Sequence, residues 1–446
     1  MRLTRFGLLR RGAGGAFASA VLMAASLITS TPAHATTPSP QVALDWNAAA
    51  VAAVRNARTM DGVPAGGSPR AFYQPEAMLY MAYVQAAVYD ATMKISHRYL
   101  LYHHFIARAG DASIEAAIDS AYYNSLVFYL GDPDGSLAAR YAADIAALPD
   151  NAFTQRGIAV GLAAAQDLEQ LRANDGRNAP ISDACPTDTT PGVWRCTPPP
   201  SLQAEQTPWL ATMEPFMLTG DSQFRAPAPP ALGSSQYLAD LQETKDFGAA
   251  SSTVRTPAET AIAWFWLANV PSQLNQTMRG IAAQDSLDLV DTVRLLAAGD
   301  MVATDAAIGC WDSKYHWLRW RPITAIQLGS DFNDPTWTPL GTTPNHPEYP
   351  SAHGCVTSAM VRVMASITGT TNLNVTIPGA TGGGTALTTS QVFVTEQDVD
   401  AQLVNARIWV GFHYRTSVLN GEALGQSVAD WALQRFFLPG DDTQGD

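Results

Sequence analysis

Apolar residues recur every three or four positions along most of this 446-residue chain, and this spacing constrains its fold more than any other feature. It is clearest in alanine-rich segments such as EAMLYMAYVQAAVYDATM (76–93) and FTQRGIAVGLAAAQDLEQL (153–171). A helix with such a pattern buries its apolar face against other helices. Only QVFVT (391–395) alternates as a strand does. We therefore predict an all-α fold of helical bundles joined by long Pro/Gly-rich loops.

The composition changes along the chain and suggests its organisation. Because about 410 mature residues exceed what one simple core usually serves, we expect two packed four-helix-type bundles. The predicted segments are a signal peptide (1–35), an N-terminal helical bundle (36–173), a Pro-rich loop excursion (174–232), a C-terminal helical bundle (233–437) and an acidic tail (438–446).

The first 35 residues have the features of an export signal. A basic segment ends at Arg11, an apolar run extends from Ala16 to Ile28, and small residues flank the predicted cleavage site at Ala35. Their removal takes four of 27 basic residues and no acidic ones, which leaves 23 against 40 and a net charge of −17. Such a surface repels nucleic acid. No later segment is apolar over enough residues to span a bilayer, so we expect a soluble protein that is secreted or periplasmic. The sequence does not predict its oligomeric state.

The chain contains four cysteines, and an even number in an exported protein favours disulfides. Cys185 and Cys196 delimit a short loop that a bridge could close. Cys310 and Cys355 flank the segment that holds the most reactive side chains, and they are a candidate second bridge. Spacing alone fixes neither pairing.

The stretch HPEYPSAHGC (346–355) interrupts the helical pattern with groups suited to chemistry. Pro350 can begin a helix, with Ser351 at its first turn, so free backbone N–H groups and a hydroxyl would face the same point. This arrangement favours an oxyanion. His353 adds a group that can hold or release a proton near neutral pH.

Two cationic clusters lie on either side of this stretch. Lys314 and Arg321 are seven residues apart, which on a continuous helix is two turns and places both on one face. Tryptophans surround them, so they should be partly buried and need a counter-anion. Arg407 and His413 diverge by about 120° on an unbroken helix. A helix end at Gly411 would allow them to converge.

The order of these motifs resembles the three-part signature shared by vanadium-dependent haloperoxidases and type 2 phosphatidic acid phosphatases. The matching elements are Lys314-x6-Arg321-Pro322, Pro350-Ser351-Ala352-His353 and Arg407-x5-His413. The signature spans about 100 residues, and looser likeness to the soluble haloperoxidase branch extends over the mature chain. The resemblance implies a helical-bundle fold and a site for vanadate or phosphate.

The resemblance also implies a role for each matching residue. Lys314, Arg321 and Arg407 would bind the oxyanion oxygens, together with Ser351 and the backbone N–H of Ala352. His413 would be the axial vanadium ligand or, in a phosphatase, the nucleophile, and His353 would act as acid and base. In the family, Gly is common at the position of Ala352. An aspartate is common four residues after the axial histidine, where this chain has Ser417, which leaves the support of His413 in question.

Halide specificity rests on two further residues in this interpretation. Bromide-oxidising relatives tend to have His at the position of His346, where chloride-oxidising ones have Phe. Together with Trp311, His346 is therefore a possible halide site, although it is also explained as a loop histidine packed on Pro347. On this basis bromide or iodide is expected more than chloride.

Three functions remain open from the sequence. The first is an exported haloperoxidase that needs vanadate and acts on hydrogen peroxide, a halide and a small organic substrate. The second is a secreted acid phosphatase for phosphate esters, which needs no cofactor and uses His413 as nucleophile and His353 as general acid. One cage can serve both, because vanadate bound by an imidazole has the shape of a phosphoryl group in transfer. The third is a non-catalytic helical domain that keeps an oxyanion pocket.

Overall fold

The computed structural model describes residues 38–60, 63, 66–179, 187–197, 205–370, 372–379 and 390–440. The predicted signal peptide and most of the predicted acidic tail lie outside the described residues. None of the described helices is long and apolar enough to cross a membrane.

The first half of the chain is helical, as predicted from its periodicity. Its helices are α1 (Gln41–Asn56), α2 (Gln74–Ser96), α3 (Ile114–Leu130), α4 (Ser136–Ala147) and α5 (Ala152–Leu171), with a small pair of strands, β1 (Arg58–Thr59) and β2 (Arg70–Ala71), between α1 and α2. Side chains cap two of these helices: Ser113 accepts from the Ala116 N–H and Asn151 from the N–H groups of Phe153 and Thr154.

Helices α3 and α5 pack closely because glycines lie at their contact. A Cβ atom on Gly161 would lie 2.3 Å from the Ala117 carbonyl oxygen, and one on Gly157 would lie 2.3 Å from that of Ser113. Any larger side chain at either position would push the two helices apart.

The predicted loop excursion is irregular where the structure describes it, apart from one 3-10 helix (Pro208–Thr212). Its hydrogen bonds come partly from the core: the Asp305 carboxylate accepts from the backbone N–H groups of Phe216, Met217 and Leu218 at 2.6, 2.8 and 3.1 Å. Burial nevertheless raises the pKa of Asp305 to about 6.

The second half contains the remaining helices and a hairpin. They are α6 (Ser235–Gly248), α7 (Pro257–Phe265), α8 (Val270–Gln284), α9 (Leu289–Trp317), α10 (Pro322–Leu328), α11 (Ala352–Thr368), α12 (Glu396–Trp409) and α13 (Arg415–Leu433), with β3 (Asn372–Ile377) antiparallel to β4 (Gln391–Thr395). The predicted strand is β4, and its partner β3 was not predicted. Despite these strands the fold is all-α, which confirms the predicted class.

Helix α9 is the centre of the molecule and positions the site. It contacts α2, α11 and α13. Its residues 295–314 are buried throughout, without an exposed polar face. A helix apolar on all sides must be enclosed by others. Its C-terminal end therefore delivers Lys314 to the buried start of α11. The division into bundles at residues 173 and 233 stays a prediction.

Candidate active site

Lys314 is fully buried at the C-terminal end of α9 and is held by the loop that precedes α11. Its ammonium donates to the carbonyl oxygens of Pro347 at 3.1 Å and Glu348 at 3.0 Å, and also to that of Pro350. Burial lowers the pKa of Lys314 to about 8. Carbonyl oxygens thus occupy its three donors in the described structure, so Lys314 shapes this loop and contributes charge to the site.

Arg321 does not continue the helix that carries Lys314, which corrects the prediction that both cations lie on one helical face. Leu318 has φ +45° and ends α9, and Arg321 is the N-cap residue of α10, directly before Pro322. The two cations converge because the chain turns between them. Proline at the first position of a helix favours such a restart, and the turn was not readable from the seven-residue spacing.

The Arg321 guanidinium holds the two ends of the site together. It donates to the carbonyl oxygens of His346 at 3.0 Å and Phe412 at 3.1 Å, and its Nη1 lies 3.3 Å from His413 Nε2. Burial lowers the pKa of Arg321 to about 10. A guanidinium only donates, so His413 Nε2 accepts in this contact.

Arg407 and His413 converge because α12 ends between them, as predicted. Helix α12 ends at Trp409, and Gly411 has φ +81°, a conformation that favours glycine. Arg407 donates to the Trp266 carbonyl at 3.3 Å, whereas its Nε is buried without a hydrogen-bond partner among the described residues. Burial, and then the charge of Arg321, lowers the pKa of Arg407 to about 9.

Ser351 and His353 present unused polar atoms at the start of α11. Ser351 is the N-cap residue and makes no capping hydrogen bond, and its Oγ is buried without a partner in the part of the chain described. The His353 ring donates a hydrogen bond to the Trp266 carbonyl oxygen, and its Nε2 is likewise buried and unpaired. Burial, then the charge of Arg407, lowers the pKa of His353 well below its usual value.

Glu348 is the functional residue that the sequence analysis missed. Its Oε1 lies 2.7 Å from His413 Nδ1 and accepts from the Tyr414 N–H at 3.3 Å. Ser417 does not replace the aspartate common in the family; a carboxylate from the other side of the site serves His413 instead. The signal was present within HPEYPSAHGC: a glutamate between proline and tyrosine, three residues before Ser351, in a stretch too apolar for a surface acid.

The site has a positive charge balance. Lys314, Arg321 and Arg407 are buried cations, and burial followed by the Arg321 charge lowers the pKa of His413 well below its usual value, which keeps that ring neutral. Burial raises the pKa of Glu348 to about 7. With Glu348 ionised, three positive charges and one negative charge leave a net +2, which suits a multiply charged oxyanion.

The two cysteines beside this site are free thiols, which corrects the prediction of a Cys310–Cys355 bridge. Both are buried, on α9 and α11, and their side chains are hydrogen-bond neighbours. The Cys310 thiol also lies 3.8 Å from the Pro350 carbonyl oxygen. Proximity was therefore predicted correctly, and the bond was not. Cys196 is disulfide-bonded, but Cys185 lies outside the described residues, so their pairing stays a prediction.

Comparisons with known proteins bear on this arrangement. Residues 294–438 match the family model of the VCPO second helical-bundle domain, a range that contains all of the predicted oxyanion-site residues. The vanadium chloroperoxidase of Curvularia inaequalis is 29% identical over 144 residues, which are 26% of this chain and 24% of that protein. The chain thus aligns with about a quarter of that relative's length.

Solved structures extend the likeness to nearly the whole chain. A bacterial vanadium-dependent iodoperoxidase superposes with a TM-score of 0.74 at 19% identity, covering 92% of this chain and 99% of that one. This chain has the vanadium haloperoxidase fold. A holo-type bacterial vanadium-dependent chloroperoxidase superposes with a TM-score of 0.66 at 18% identity, covering 81% and 91%. The resemblance inferred from the three motifs is confirmed.

The residues present fit the vanadate that the haloperoxidase fold implies. Ser351 Oγ, His353 Nε2 and Arg407 Nε are buried polar atoms that lack a partner among the described residues. Such atoms are costly unless a ligand satisfies them. His353 and Arg407 line the same cavity as His413, whose Nε2 carries a lone pair. Donors from Ser351 and Arg407, positive charge and the imidazole acceptor of His413 make a set suited to an oxyanion whose central atom can accept a nitrogen ligand.

A cavity of about 400 Å³ leads to these haloperoxidase-like groups. Trp311 and His346, the predicted halide-site pair, both line it, and their ring centroids are 5.0 Å apart. Gln206 of the loop excursion also lines the cavity. Further lining residues come from the start of α2 and the loop before it: Phe72, Tyr73, Gln74, Pro75 and Met78. The cavity therefore joins both halves of the chain, and the halide role of Trp311 and His346 stays a prediction.

Proposed function

We propose that this protein is a vanadium-dependent haloperoxidase that uses hydrogen peroxide to oxidise a halide. The observation that carries the proposal is that Ser351, His353 and Arg407 have buried polar atoms without a partner among the described residues, and that His353, Arg407 and His413 line one cavity. When bound there, vanadate supplies the Lewis-acid centre at which peroxide is activated for attack by halide.

In this proposal the oxyanion is bound by side-chain and backbone donors and by buried positive charge. Arg407 and Ser351 donate to the oxyanion oxygens, and the backbone N–H of Ala352 adds a donor at the positive end of α11. Lys314 and Arg321 act chiefly through charge, because carbonyl oxygens and ring nitrogens already accept from them. In a buried site such charge is poorly screened and contributes strongly.

His353 moves the proton in this proposal. His353 lines the cavity, and its Nε2 has no partner in the described structure. Burial lowers the pKa of His353, so the ring is neutral and its Nε2 lone pair can accept a proton. The Trp266 carbonyl orients the ring without adding charge. His353 can therefore take up and return a proton at Nε2 during each turnover.

We propose bromide or iodide, rather than chloride, as the halide. His346 beside Trp311 supports this choice, because the ring is polar and lies 3.1 Å from Arg321 Nη2, where an apolar phenylalanine would make a drier site. The larger halides are more easily oxidised and less strongly hydrated. A small organic molecule that is halogenated would then enter through the cavity.

The direct test is halogenation of a phenolic dye with hydrogen peroxide and bromide, before and after addition of orthovanadate. We expect turnover that appears with vanadate and is lost in the variant His413→Ala. Vanadate-independent turnover, or none at saturating vanadate, would contradict the proposal. Replacing bromide with iodide or chloride in the same assay tests the halide preference.

A phosphomonoesterase is the second candidate, and the contact of Glu348 with His413 favours it. A carboxylate that binds Nδ1–H makes the opposite nitrogen a better nucleophile towards phosphorus. This candidate predicts phosphate release from an aryl phosphate in metal-free buffer, with inhibition by vanadate. Phosphatase turnover without any vanadate-dependent halogenation would favour it over the haloperoxidase.

Export is a further part of the proposal. The basic and apolar segments of residues 1–35 support it. Fractionation of producing cells should find a mature protein that lacks these residues in the periplasm or medium. A full-length protein confined to the cytoplasm would contradict export and leave the proposed chemistry unaffected.

A further inference from the structure

Glu348 is held more firmly than a loop glutamate usually is. Its backbone N–H donates to the Arg319 carbonyl at 2.9 Å, and its own carbonyl accepts from Lys314 at 3.0 Å. The residue is fully buried. With the backbone fixed on both sides, the side chain has one direction to follow, towards the loop that carries His413.

The contacts of the His413 ring select one tautomer. Arg321 Nη1 lies 3.3 Å from Nε2, and a guanidinium can only donate, so Nε2 carries the lone pair. The ring proton is then on Nδ1, which donates to Glu348 Oε1 at 2.7 Å. Two independent contacts thus place the lone pair of the ring on Nε2.

The His353 ring is supported differently from the His413 ring. The partner of the His353 ring is the uncharged carbonyl of Trp266 rather than a carboxylate. Ser417, at the position where the family commonly has an aspartate, lies beside the Glu348 carboxylate rather than supporting an imidazole. Among the described residues, it is therefore His413 whose imidazole is supported by a carboxylate, that of Glu348.

We propose that Glu348 is the positioning residue of His413, which holds the ring in the Nδ1–H tautomer with Nε2 aimed at the oxyanion. The function of this carboxylate has moved from the position of Ser417 to the loop before α11. For oxyanion binding the inference rests on the proposed function, whereas the tautomer is a property of the protein alone. Loss of such a partner typically weakens binding at the supported ligand by about 10- to 100-fold.

Two variants of Glu348 separate the effect of side-chain length from the effect of its negative charge. Glu348→Asp keeps the charge but withdraws the carboxylate by one methylene, so the bond to Nδ1 is lost. Glu348→Gln keeps an acceptor oxygen at the same reach but removes the charge. Asp119→Asn is the matched control, because Asp119 is another buried carboxylate that accepts an aromatic N–H, that of Trp46 at 2.8 Å, and lies outside the cavity.

The experiment measures the ring nitrogens of His413 by ¹⁵N NMR on histidine-labelled protein, with His413→Ala for assignment, and vanadate binding by equilibrium dialysis. We expect a hydrogen-bonded Nδ1–H in wild type, Glu348→Gln and the control. In Glu348→Asp the ¹⁵N shift of Nδ1 should report the loss of this hydrogen bond, with vanadate binding weakened about 10- to 100-fold. An Nε2–H tautomer in wild type, or Glu348→Asp indistinguishable from wild type, would overturn the inference.

The two proposals fail separately in this design. If wild type binds no vanadate, the proposed function is wrong, and the tautomer measurements alone still decide the role of Glu348. If Glu348→Asp does not fold, the hydrogen bond at Nδ1 decides: an Nδ1 shift typical of a hydrogen-bonded N–H in both wild type and Glu348→Gln supports positioning, and its absence from either protein contradicts it.

Discussion

Arg407 donates to the carbonyl oxygen of Trp266 at 3.3 Å, and the same carbonyl contacts the His353 ring. One backbone oxygen at the end of α7 thus places a cation and an imidazole on the same side of the site. Arg407 also lines the cavity, and its Nε has no partner among the described residues. Segments distant in sequence are aligned through a backbone atom, which side-chain motifs do not reveal.

The variant Arg407→Lys should bind vanadate about 10- to 100-fold more weakly, because it keeps the charge but loses a donor of a charge-assisted hydrogen bond. Equilibrium dialysis measures the change. Arg362→Lys is the control, since Arg362 pairs with Asp430 and does not line the cavity. Equal effects of the two variants would show that the geometry of Arg407 is unimportant.

The variant His353→Gln should lose halide oxidation while it still binds vanadate. Removing a proton-transfer group lowers turnover by about 10²- to 10⁴-fold, whereas the ring is not needed to hold the oxyanion. Steady-state kinetics and dialysis on the same preparation separate the two effects. Retained turnover, or loss of vanadate binding as large as that of turnover, would argue against the proton-transfer role.

The variant Gly411→Ala should be strongly destabilised. Gly411 has φ +81°, and an added Cβ would lie 2.6 Å from the Gly248 carbonyl oxygen. Gly233 has a similar φ of +73° with nothing within 4 Å, so Gly233→Ala isolates the backbone strain. We expect about 1 kcal/mol for the control and at least ~3 kcal/mol for Gly411→Ala by urea unfolding. Equal losses would mean that the tight contact is relieved by local movement.

Asp300 should make the protein less stable as the pH rises. Burial raises the pKa of Asp300 to about 7, above its ordinary value of 3.8, and its Oδ2 has no partner among the described residues. The folded state therefore keeps a proton that the unfolded state has released, and stability falls between about pH 4 and pH 7.

The variant Asp300→Asn removes this titration and keeps the oxygen that accepts from Asn275 at 2.7 Å. Relative to wild type, the variant should gain stability on the order of a few kcal/mol between pH 5 and pH 8, measured by urea unfolding. A difference between the two proteins that does not change with pH would contradict a raised pKa of Asp300.

Local patterns predicted much of the fold. The periodicity of residues 76–93 and 153–171 placed α2 and α5 within two or three residues of their observed ends. Gly411 was identified as the helix break that brings Arg407 and His413 together, because a left-handed position in a helical segment has a local sequence signal. Strand β3 was missed although its sequence NLNVTI (372–377) alternates polar and apolar residues.

Local sequence patterns could not predict the tertiary contacts of the site. Spacing placed Lys314 and Arg321 on one helix, whereas Leu318 ends that helix in a conformation unusual for leucine. The role of Glu348 depends on the packing of two loops 65 residues apart. The distance between two cysteines in sequence also says nothing about their oxidation, and Cys310 and Cys355 lie together as thiols.

The most direct test of the central claim is a crystal structure of the protein soaked with orthovanadate, with the vanadium located by its anomalous signal. The account predicts one ordered vanadium at His413 Nε2, with its oxygens in contact with Ser351 and Arg407. Vanadium ordered only elsewhere, or none at concentrations that saturate dialysis, would contradict it.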